Sequence, residues 1–85
     1  MTTWKELFQD AFEQTKEQWN DLKSTFKNGE ENTKFDPSYG RENGCHFTAW
    51  SKNYVYFPVC YDGAEWVGYV ARNPCETKTE HQGGG

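Results

Sequence analysis

Aliphatic side chains are scarce in this sequence. The chain of 85 residues contains no isoleucine, two leucines and four valines, and hydrophobic residues make up 34% of it. On that composition it would border on the class of chains that cannot bury enough apolar surface to fold. Aromatic residues supply what is missing, because four Trp, five Tyr and six Phe can each bury about 150 to 250 Å². We therefore predict one small domain with a thin, mainly aromatic core.

The chain also lacks the segments that would direct it into or through a membrane. Its longest apolar run is far shorter than the about 18 residues of a membrane span, and its N-terminus has neither the basic nor the apolar region of a signal peptide. Basic residues are in the minority, since the formal net charge is -4. These absences predict a cytoplasmic protein that binds no membrane and does not bind a nucleic acid directly. A protein partner with a basic surface remains open.

Signals for catalysis or metal binding are missing as well. The three cysteines, Cys45, Cys60 and Cys75, are 15 residues apart and form no Cys-x-x-Cys pair. Cys45 and His46 are neighbours in a predicted strand, so their side chains point to opposite faces and cannot act as nucleophile and base. The sequence has no Gly-rich phosphate loop and no nucleophile elbow. We expect a protein that is not an enzyme and binds no metal and no cofactor, with zinc held by the cysteines and His81 as the minor alternative.

The first part of the chain has the pattern of one long helix. Thr3 and Glu6 form a capping box, in which the hydroxyl of Thr3 accepts a hydrogen bond from the amide of Glu6. No Pro or Gly follows until Asn28-Gly29, where the left-handed conformation that closes a helix is accessible. The sequence therefore predicts a helix over about residues 4–28.

Beyond the helix the apolar pattern changes from the period of a helix to the period of a strand. Three runs rich in Val, Tyr, Phe and Trp are separated by Ser51-Lys52-Asn53 and by Asp62-Gly63, and an Asp-Gly loop is a strong hairpin signal. The predicted fold is α+β, with one N-terminal helix packed on a three-stranded antiparallel meander in the order αβββ. Its other parts are a linker over 29–43 with Phe35 and Tyr39, strands over about 45–50, 54–61 and 64–71, a single domain over 1–73 and a flexible tail over 74–85.

The Asp62-Gly63 loop also predicts a register and thereby the two faces of the sheet. If the loop has two residues, Tyr61 pairs with Ala64 and the pairing runs on to Val55 with Val70. One face is then expected to pack against the helix and carries Val55, Phe57, Val59, Trp66 and Val70. A three-residue loop at 51–53 adds Phe47 and Ala49 to that face. The opposite face carries aromatic side chains that no predicted helix covers: Trp50, Tyr54, Tyr56 and Tyr69.

Two interpretations of that aromatic face are open at this point. The linker or the tail could fold over it. Alternatively it is a contact surface, because Trp and Tyr dominate the energetic hot spots of protein interfaces. Self-association through the face, for example as a homodimer, belongs to the second interpretation.

Carboxylates form a column along the outer side of the predicted helix. Steps of 100° per residue place them together, away from the apolar side. The members of this acidic column are Glu6, Asp10, Glu13, Glu17 and Asp21. The column would be about 22 Å long, with charges about 5 to 6 Å apart, which is the scale of phosphates along a nucleic-acid strand. It could therefore occupy a basic groove built for a nucleic acid, and a merely solvated helix face is the alternative.

In size, acidity and the Glu6 to Asp21 column the chain resembles the small accessory proteins of tailed bacteriophages, a class that includes anti-CRISPR and other host-inhibitory proteins. The resemblance implies a stoichiometric binder of a nucleic-acid-handling host protein, and it assigns no binding residue by position. We therefore predict a non-enzymatic protein-binding module, an inhibitor that uses its acidic helix face as a nucleic-acid mimic in the host cytoplasm, with the exposed aromatic side chains as anchors. The alternative is a structural or assembly protein that oligomerises through the aromatic face of its sheet.

Overall fold

A computed structural model describes residues 1–38 and 41–83 of the chain. Within these residues it contains one α-helix and a four-stranded antiparallel sheet with the strands in sequence order. The helix is α1 (Trp4–Thr15), and the strands are β1 (Lys23–Ser24), β2 (Ala49–Trp50), β3 (Tyr54–Tyr61) and β4 (Ala64–Ala71). The predicted α+β class is confirmed, but the sheet has a fourth strand, β1, inside the segment that was predicted to be helical.

Helix α1 begins as the sequence predicts and ends much earlier. The amide of Glu6 donates to the hydroxyl oxygen of Thr3 over 3.1 Å, so the N-terminal cap is formed. At the other end Lys16 takes the left-handed conformation, with φ 60°, and its amide donates to the carbonyl oxygen of Phe12. The prediction of a helix over 4–28 is therefore wrong beyond Thr15.

The helix ends because aromatic packing is stronger than local helix preference at this point. The ring of Trp19 lies edge-on to Phe8, with 5.4 Å between the ring centroids. Phe26 stacks on Phe47 at 4.8 Å. In an unbroken helix Trp19 would lie about 16 Å along the axis from Phe8, and the two rings could not touch. Reversal of the chain after Thr15 brings both Trp19 and Phe26 onto the core.

The hairpin of β3 and β4 has the predicted bounds and the predicted register. Tyr61 pairs with Ala64, and the pairing continues without a bulge to Tyr54 with Ala71. Both loop residues have positive φ, 51° at Asp62 and 85° at Gly63, as a two-residue turn of this type requires.

Strand β2 is shorter than predicted and differs in register by one residue. Only Ala49–Trp50 of the predicted strand over 45–50 is paired with β3, and Trp50 lies opposite Val55. Four residues, 51–54, therefore lie between the paired positions Trp50 and Val55, instead of the three predicted between strands. The amide of Ser51 donates to the carbonyl oxygen of Tyr54 across this loop. Because side chains alternate between faces, a slip of one residue exchanges the inner and outer faces of a strand.

The inner face of the sheet is consequently the tyrosine face and not the valine face. Tyr56 is fully buried against α1, where its ring lies 5.3 Å from Phe8 and 5.7 Å from Phe12. Phe47 and Ala49 also lie in the core, as predicted. The prediction that the valine face packs against the helix is wrong for Val55, Phe57, Val59, Trp66 and Val70, which lie on the other side of the sheet.

The linker closes the open end of the core. Phe35 is buried with its ring 5.0 Å from that of Trp4, so this predicted aromatic plug is found, while Tyr39 lies outside the described residues. The backbone of Gly44 packs directly against the same indole, since a Cβ at this position would be 2.6 Å from Cζ2 of Trp4. Phe35 and Gly44 therefore close the core beside Trp4.

The predicted tail has no helix or strand over residues 74–83. Part of it lines a cavity of about 280 Å³ together with Tyr54, Tyr69 and Val70, through Thr77, Lys78, Thr79, Glu80 and Gln82. Gly84 and Gly85 lie outside the described residues. In the part of the chain that the structure describes, we find no helix with both the length and the apolar character needed to cross a membrane.

Candidate functional site

The predicted acidic column is divided by the end of α1. Glu6, Asp10 and Glu13 are exposed on the helix, as predicted. Glu17 and Asp21 follow the break and belong to a different part of the surface. The expectation of five carboxylates in one straight row is therefore wrong, because the helix that would align them stops at Thr15.

The two carboxylates beyond the break lie among the chain's own basic side chains. Glu17 and Asp21 line an open cleft of about 510 Å³. The other side chains of this cleft are those of Lys23, Trp50, Ser51, Lys52 and Arg72. Basic and acidic side chains are thus mixed around this cleft. Glu17 and Asp21 therefore do not continue the row of carboxylates on α1.

Three of the four predicted aromatic anchors lie on the core side of the sheet. Tyr56 is 0% exposed. Tyr54 and Tyr69 are half-buried and pack against the core, and their rings contact each other at 6.0 Å. Trp50 is the exception, because it lies opposite Val55 and so on the outer face. The prediction of an exposed tyrosine surface is wrong, and the one-residue slip between β2 and β3 is the reason.

Tyr56 has a structural role that involves its hydroxyl group. The hydroxyl oxygen lies 3.0 Å from that of Thr15 and 3.3 Å from that of Ser51. These contacts satisfy a phenol that would otherwise be costly to bury. Burial raises the pKa of Tyr56 above its ordinary value, and the hydrogen bonds with Ser51 and Thr15 offset part of that rise.

We expect the buried phenol to make the fold sensitive to alkali. A tyrosine in the unfolded chain loses its proton near pH 10, whereas folded Tyr56 keeps its proton to higher pH. Above about pH 10 the folded state then binds more protons than the unfolded state, so the free energy of unfolding falls as the pH rises. Urea denaturation at several pH values should show this fall, and Tyr56→Phe should reduce it while costing about 1 to 2 kcal/mol at neutral pH.

The matched control for that variant is Tyr61→Phe. Tyr61 is 51% exposed, so loss of its hydroxyl should leave both the stability and its pH profile unchanged. Equal alkaline profiles for wild type and Tyr56→Phe would contradict the assignment.

The outer face of the sheet, opposite the core, carries a second group of apolar side chains. Register places six large apolar side chains there, which we call the outer patch: Trp50, Val55, Phe57, Val59, Trp66 and Val70. Five of them are half-buried, and Val70 is 38% exposed. None of the six belongs to the core cluster formed by the described residues. The sequence-based prediction placed five of the six on the core side and only Trp50 on the side away from the helix.

A glycine at the centre of the outer patch allows its side chains to lie flat. Gly68 is paired with Phe57, and a Cβ at this position would be 2.6 Å from Cε1 of Phe57 and 2.7 Å from Cγ2 of Val59. The ring of Phe57 thus covers the backbone of β4 and does not project into solvent. The outer patch is therefore broad and smooth, which favours contact with another flat apolar surface.

Charged residues are few at the strand positions of the outer patch, although its member Trp50 also lines the cleft that contains Glu17, Asp21, Lys23, Lys52 and Arg72. The outward positions of β1 to β4, read from the register, include Lys23 at one end and no Asp or Glu. Glu65, the single carboxylate within these strands, points inward, where it accepts hydrogen bonds from the backbone amides of Asn43 and Gly44. Depletion of charge at the centre of a patch is characteristic of interface cores.

Cys45, His46 and Cys60 are the reactive side chains whose surroundings within residues 1–38 and 41–83 can be compared. Cys45 is half-buried and its pKa is raised, mainly by burial and secondarily by the nearby charge of Glu30, so its thiol is a poor nucleophile. His46 and Cys60 line a cavity of about 270 Å³ with Glu65, but the carboxylate of Glu65 is occupied by the two backbone amides. Over residues 1–38 and 41–83, no group of three or more His, Cys, Asp and Glu side chains could hold a metal ion.

Comparison of the chain with models of protein families, with curated proteins and with solved structures finds no significant match. Three surfaces are therefore candidates on their geometry: the outer patch, the acidic face of α1, and the cleft lined by Glu17, Asp21, Lys23, Trp50, Ser51, Lys52 and Arg72.

Proposed function

We propose that this protein is a non-enzymatic protein-binding module whose contact surface is the outer patch. The observation that carries the proposal is the position of six large apolar side chains on the face of the sheet opposite the core. The largest contiguous apolar patch on a small protein is often its functional contact site. Trp50 and Trp66 belong to the residue type that contributes most to such contacts.

Inhibition of a nucleic-acid-handling host protein is one form of this proposal. In that form the outer patch makes the contact, and the acidic face of α1 acts at most as a source of long-range attraction to a basic partner. Glu6, Asp10 and Glu13 are exposed and remain available for that purpose. The row of five carboxylates that would copy a nucleic-acid strand is not part of the proposal.

Affinity capture with three bait variants tests the proposal. The baits are the wild type, Val70→Glu in the outer patch, and Gln9→Glu on the exposed side of α1 as a control with the same change of charge. The captured protein should be retained by the wild type and by Gln9→Glu and be lost from Val70→Glu. Its retention should change little between low and high salt, because an apolar contact is not screened.

Reversal of two helix carboxylates distinguishes the sequence-based hypothesis from this one. If Asp10→Lys with Glu13→Lys abolishes capture and Val70→Glu does not, the acidic face is the contact surface and the proposal is wrong. Steep loss of binding with rising ionic strength would support the same conclusion.

A further inference from the structure

We infer that a cleft beside Trp50 binds a mononucleotide, with the base stacked on the indole and the phosphate held by the surrounding cations. We call it the Trp50 cleft, and its lining side chains are those of Glu17, Asp21, Lys23, Trp50, Ser51, Lys52 and Arg72. The inference goes beyond the proposed function, because it assigns a small ligand to a cleft, whereas the proposed function assigns a protein to the outer patch. Three kinds of group in the cleft support it: an indole, cations and carboxylates.

The Trp50 cleft has the size of a small-molecule site. Its volume is about 510 Å³, which lies within the roughly 300 to 1,000 Å³ of ligand pockets. Its walls come from the segment after α1, from β1, from the loop after β2 and from the residue that follows β4. These side chains are distant in sequence, so they come together only in the folded protein.

The ring of Trp50 has no partner in the described chain. The indole of Trp4, by comparison, packs against the rings of Phe35 and Phe47 in the core. Trp50 is half-buried and has neither a ring contact nor a cation over its ring among the described residues. Any base can stack on such an aromatic ring, because every base has a flat π-face.

Three cations surround this indole. Lys23 lies directly opposite Trp50 across the sheet, and Lys52 is in the loop that follows β2. Arg72 is held in place, because its Nη1 donates to the carbonyl oxygen of Ser51 at 3.1 Å. A guanidinium fixed through one nitrogen keeps its other N–H groups for a phosphate, which it can bind through two parallel hydrogen bonds.

The three cations are not neutralised by the protein itself. Within residues 1–38 and 41–83, none of Lys23, Lys52 and Arg72 forms an ion pair with a carboxylate. They gather around one cleft of a chain whose formal net charge is -4. This local excess of positive charge favours an anionic ligand in a protein that otherwise repels anions.

The two carboxylates of the cleft limit which anion fits. Glu17 is half-buried, Asp21 is exposed, and neither carboxylate accepts a hydrogen bond from a described residue. Burial is the main cause of the raised pKa of Tyr56, and the charge of Glu17 adds to it, so Glu17 lies near the buried phenol. A half-buried carboxylate without donors is costly, and ligand hydroxyl or amino groups would supply the donors.

A mononucleotide matches all three kinds of group at once. Its base offers a flat face to the indole, its phosphate offers an anion to the lysines and the guanidinium, and its ribose and base offer hydroxyl and amino donors to the carboxylates. Carboxylates accept hydrogen bonds from ribose hydroxyls in dinucleotide sites in the same way. Inorganic phosphate alone would meet the cations and also the repulsion of Glu17 and Asp21.

Isothermal titration calorimetry with the four ribonucleoside monophosphates tests the inference. At least one of them should bind the full chain with a Kd of about 10 to 500 µM. The corresponding nucleoside and inorganic phosphate, each tested alone, should bind at least about 10-fold more weakly. Affinity for the nucleotide should fall as the salt concentration rises, because the phosphate contacts are exposed.

Variants locate the binding in the Trp50 cleft. Trp50→Leu should weaken the nucleotide about 10-fold through loss of stacking, and Lys23→Gln with Lys52→Gln should weaken it to a similar extent. The matched control is Lys34→Gln with Lys78→Gln, which removes the same charge from two exposed lysines outside the cleft and should leave the affinity unchanged. Far-ultraviolet circular dichroism should show a folded spectrum for all variants.

Four results would overturn the inference. They are the absence of binding by all four nucleotides at about 5 mM, binding that survives both cleft variants, inorganic phosphate that binds as tightly as the nucleotide, and a single-stranded oligonucleotide that binds more than about 100-fold more tightly than the nucleotide. The last would make a nucleic acid the ligand. Failure here with Val70-dependent capture of a protein intact would remove this inference and leave the proposed function standing.

Discussion

Phe8→Ala is expected to leave the protein largely unfolded at 25 °C. Phe8 is 0% exposed. Its ring centroid is within 5.5 Å of those of Phe12, Trp19, Phe47 and Tyr56, and within 6.4 Å of that of Phe26. Removal of a buried phenyl ring costs about 3 to 5 kcal/mol. A small domain with a thin core has little more stability than that to lose.

Urea denaturation followed by tryptophan fluorescence measures this loss, and Phe8→Leu is the matched control. Leucine keeps much of the buried volume, so this variant should remain folded and lose only about 1 to 1.5 kcal/mol. If Phe8→Ala and Phe8→Leu have the same stability, Phe8 is not the centre of the core. Partial recovery of Phe8→Ala at high concentration would additionally indicate that self-association stabilises the fold.

Phe8 also explains why the sequence predicts the start of α1 and not its end. The cap at Thr3 is made by residues three positions apart, so its signal is complete in the local sequence. The end at Thr15 depends on Trp19 reaching back to Phe8, a contact that forms only when the chain reverses. The residues near Lys16 carry no local signal for the end of the helix, because Lys has no preference for the left-handed conformation that it adopts. A tertiary contact overrides the helix preference there.

The hairpin could be predicted to the residue for the same local reason. Asp62-Gly63 specifies the turn, the turn specifies the register, and the register of β3 and β4 follows over all eight pairs. Pro58 has no amide hydrogen to donate to a neighbouring strand, and the pairing of β2 with β3 ends at Tyr56 before reaching it.

Which face of the sheet is buried could not be predicted, because it depends on whether the loop before β3 has three residues or four. The carbonyl oxygen of Ser51 accepts a hydrogen bond from the guanidinium of Arg72, while its hydroxyl accepts one from the amide of Tyr54 and contacts the hydroxyl of Tyr56. These contacts hold a four-residue loop. The sequence is equally compatible with a three-residue loop. The length of the loop decides whether valines or tyrosines are buried. The location of the outer patch, and with it the candidate site, depends on this choice.

Glu65 is the second position at which a large effect is expected, and it is a residue whose role the sequence does not reveal. Its side chain is 6% exposed. The carboxylate accepts hydrogen bonds from the backbone amide of Asn43 at 2.8 Å and from that of Gly44 at 2.9 Å. Gly44 lies on the indole of Trp4, whose Nε1 donates to the carbonyl oxygen of Cys45. One carboxylate thus holds the segment that closes the core over Trp4.

We expect Glu65→Gln to cost about 2 to 3 kcal/mol in the free energy of unfolding, because both hydrogen bonds to the carboxylate are charge-assisted. Glutamine has the same shape, but its side-chain NH₂ group would face one of the two backbone amides, so that a donor opposes a donor. Urea denaturation measures the total loss. Hydrogen exchange at the amide of Gly44 measures the local effect, and this exchange should become faster relative to that of amides in β3.

The control for Glu65→Gln is Glu76→Gln, which removes one carboxylate from an exposed position and should change the stability by less than about 0.5 kcal/mol. If the two variants are equally stable, the buried carboxylate contributes nothing beyond its volume and the account of the closing segment is wrong. If Glu65→Gln is destabilised but the amide of Gly44 exchanges as in the wild type, the loss arises elsewhere along β4. Loss of stability together with faster exchange is the result that the two short hydrogen bonds require.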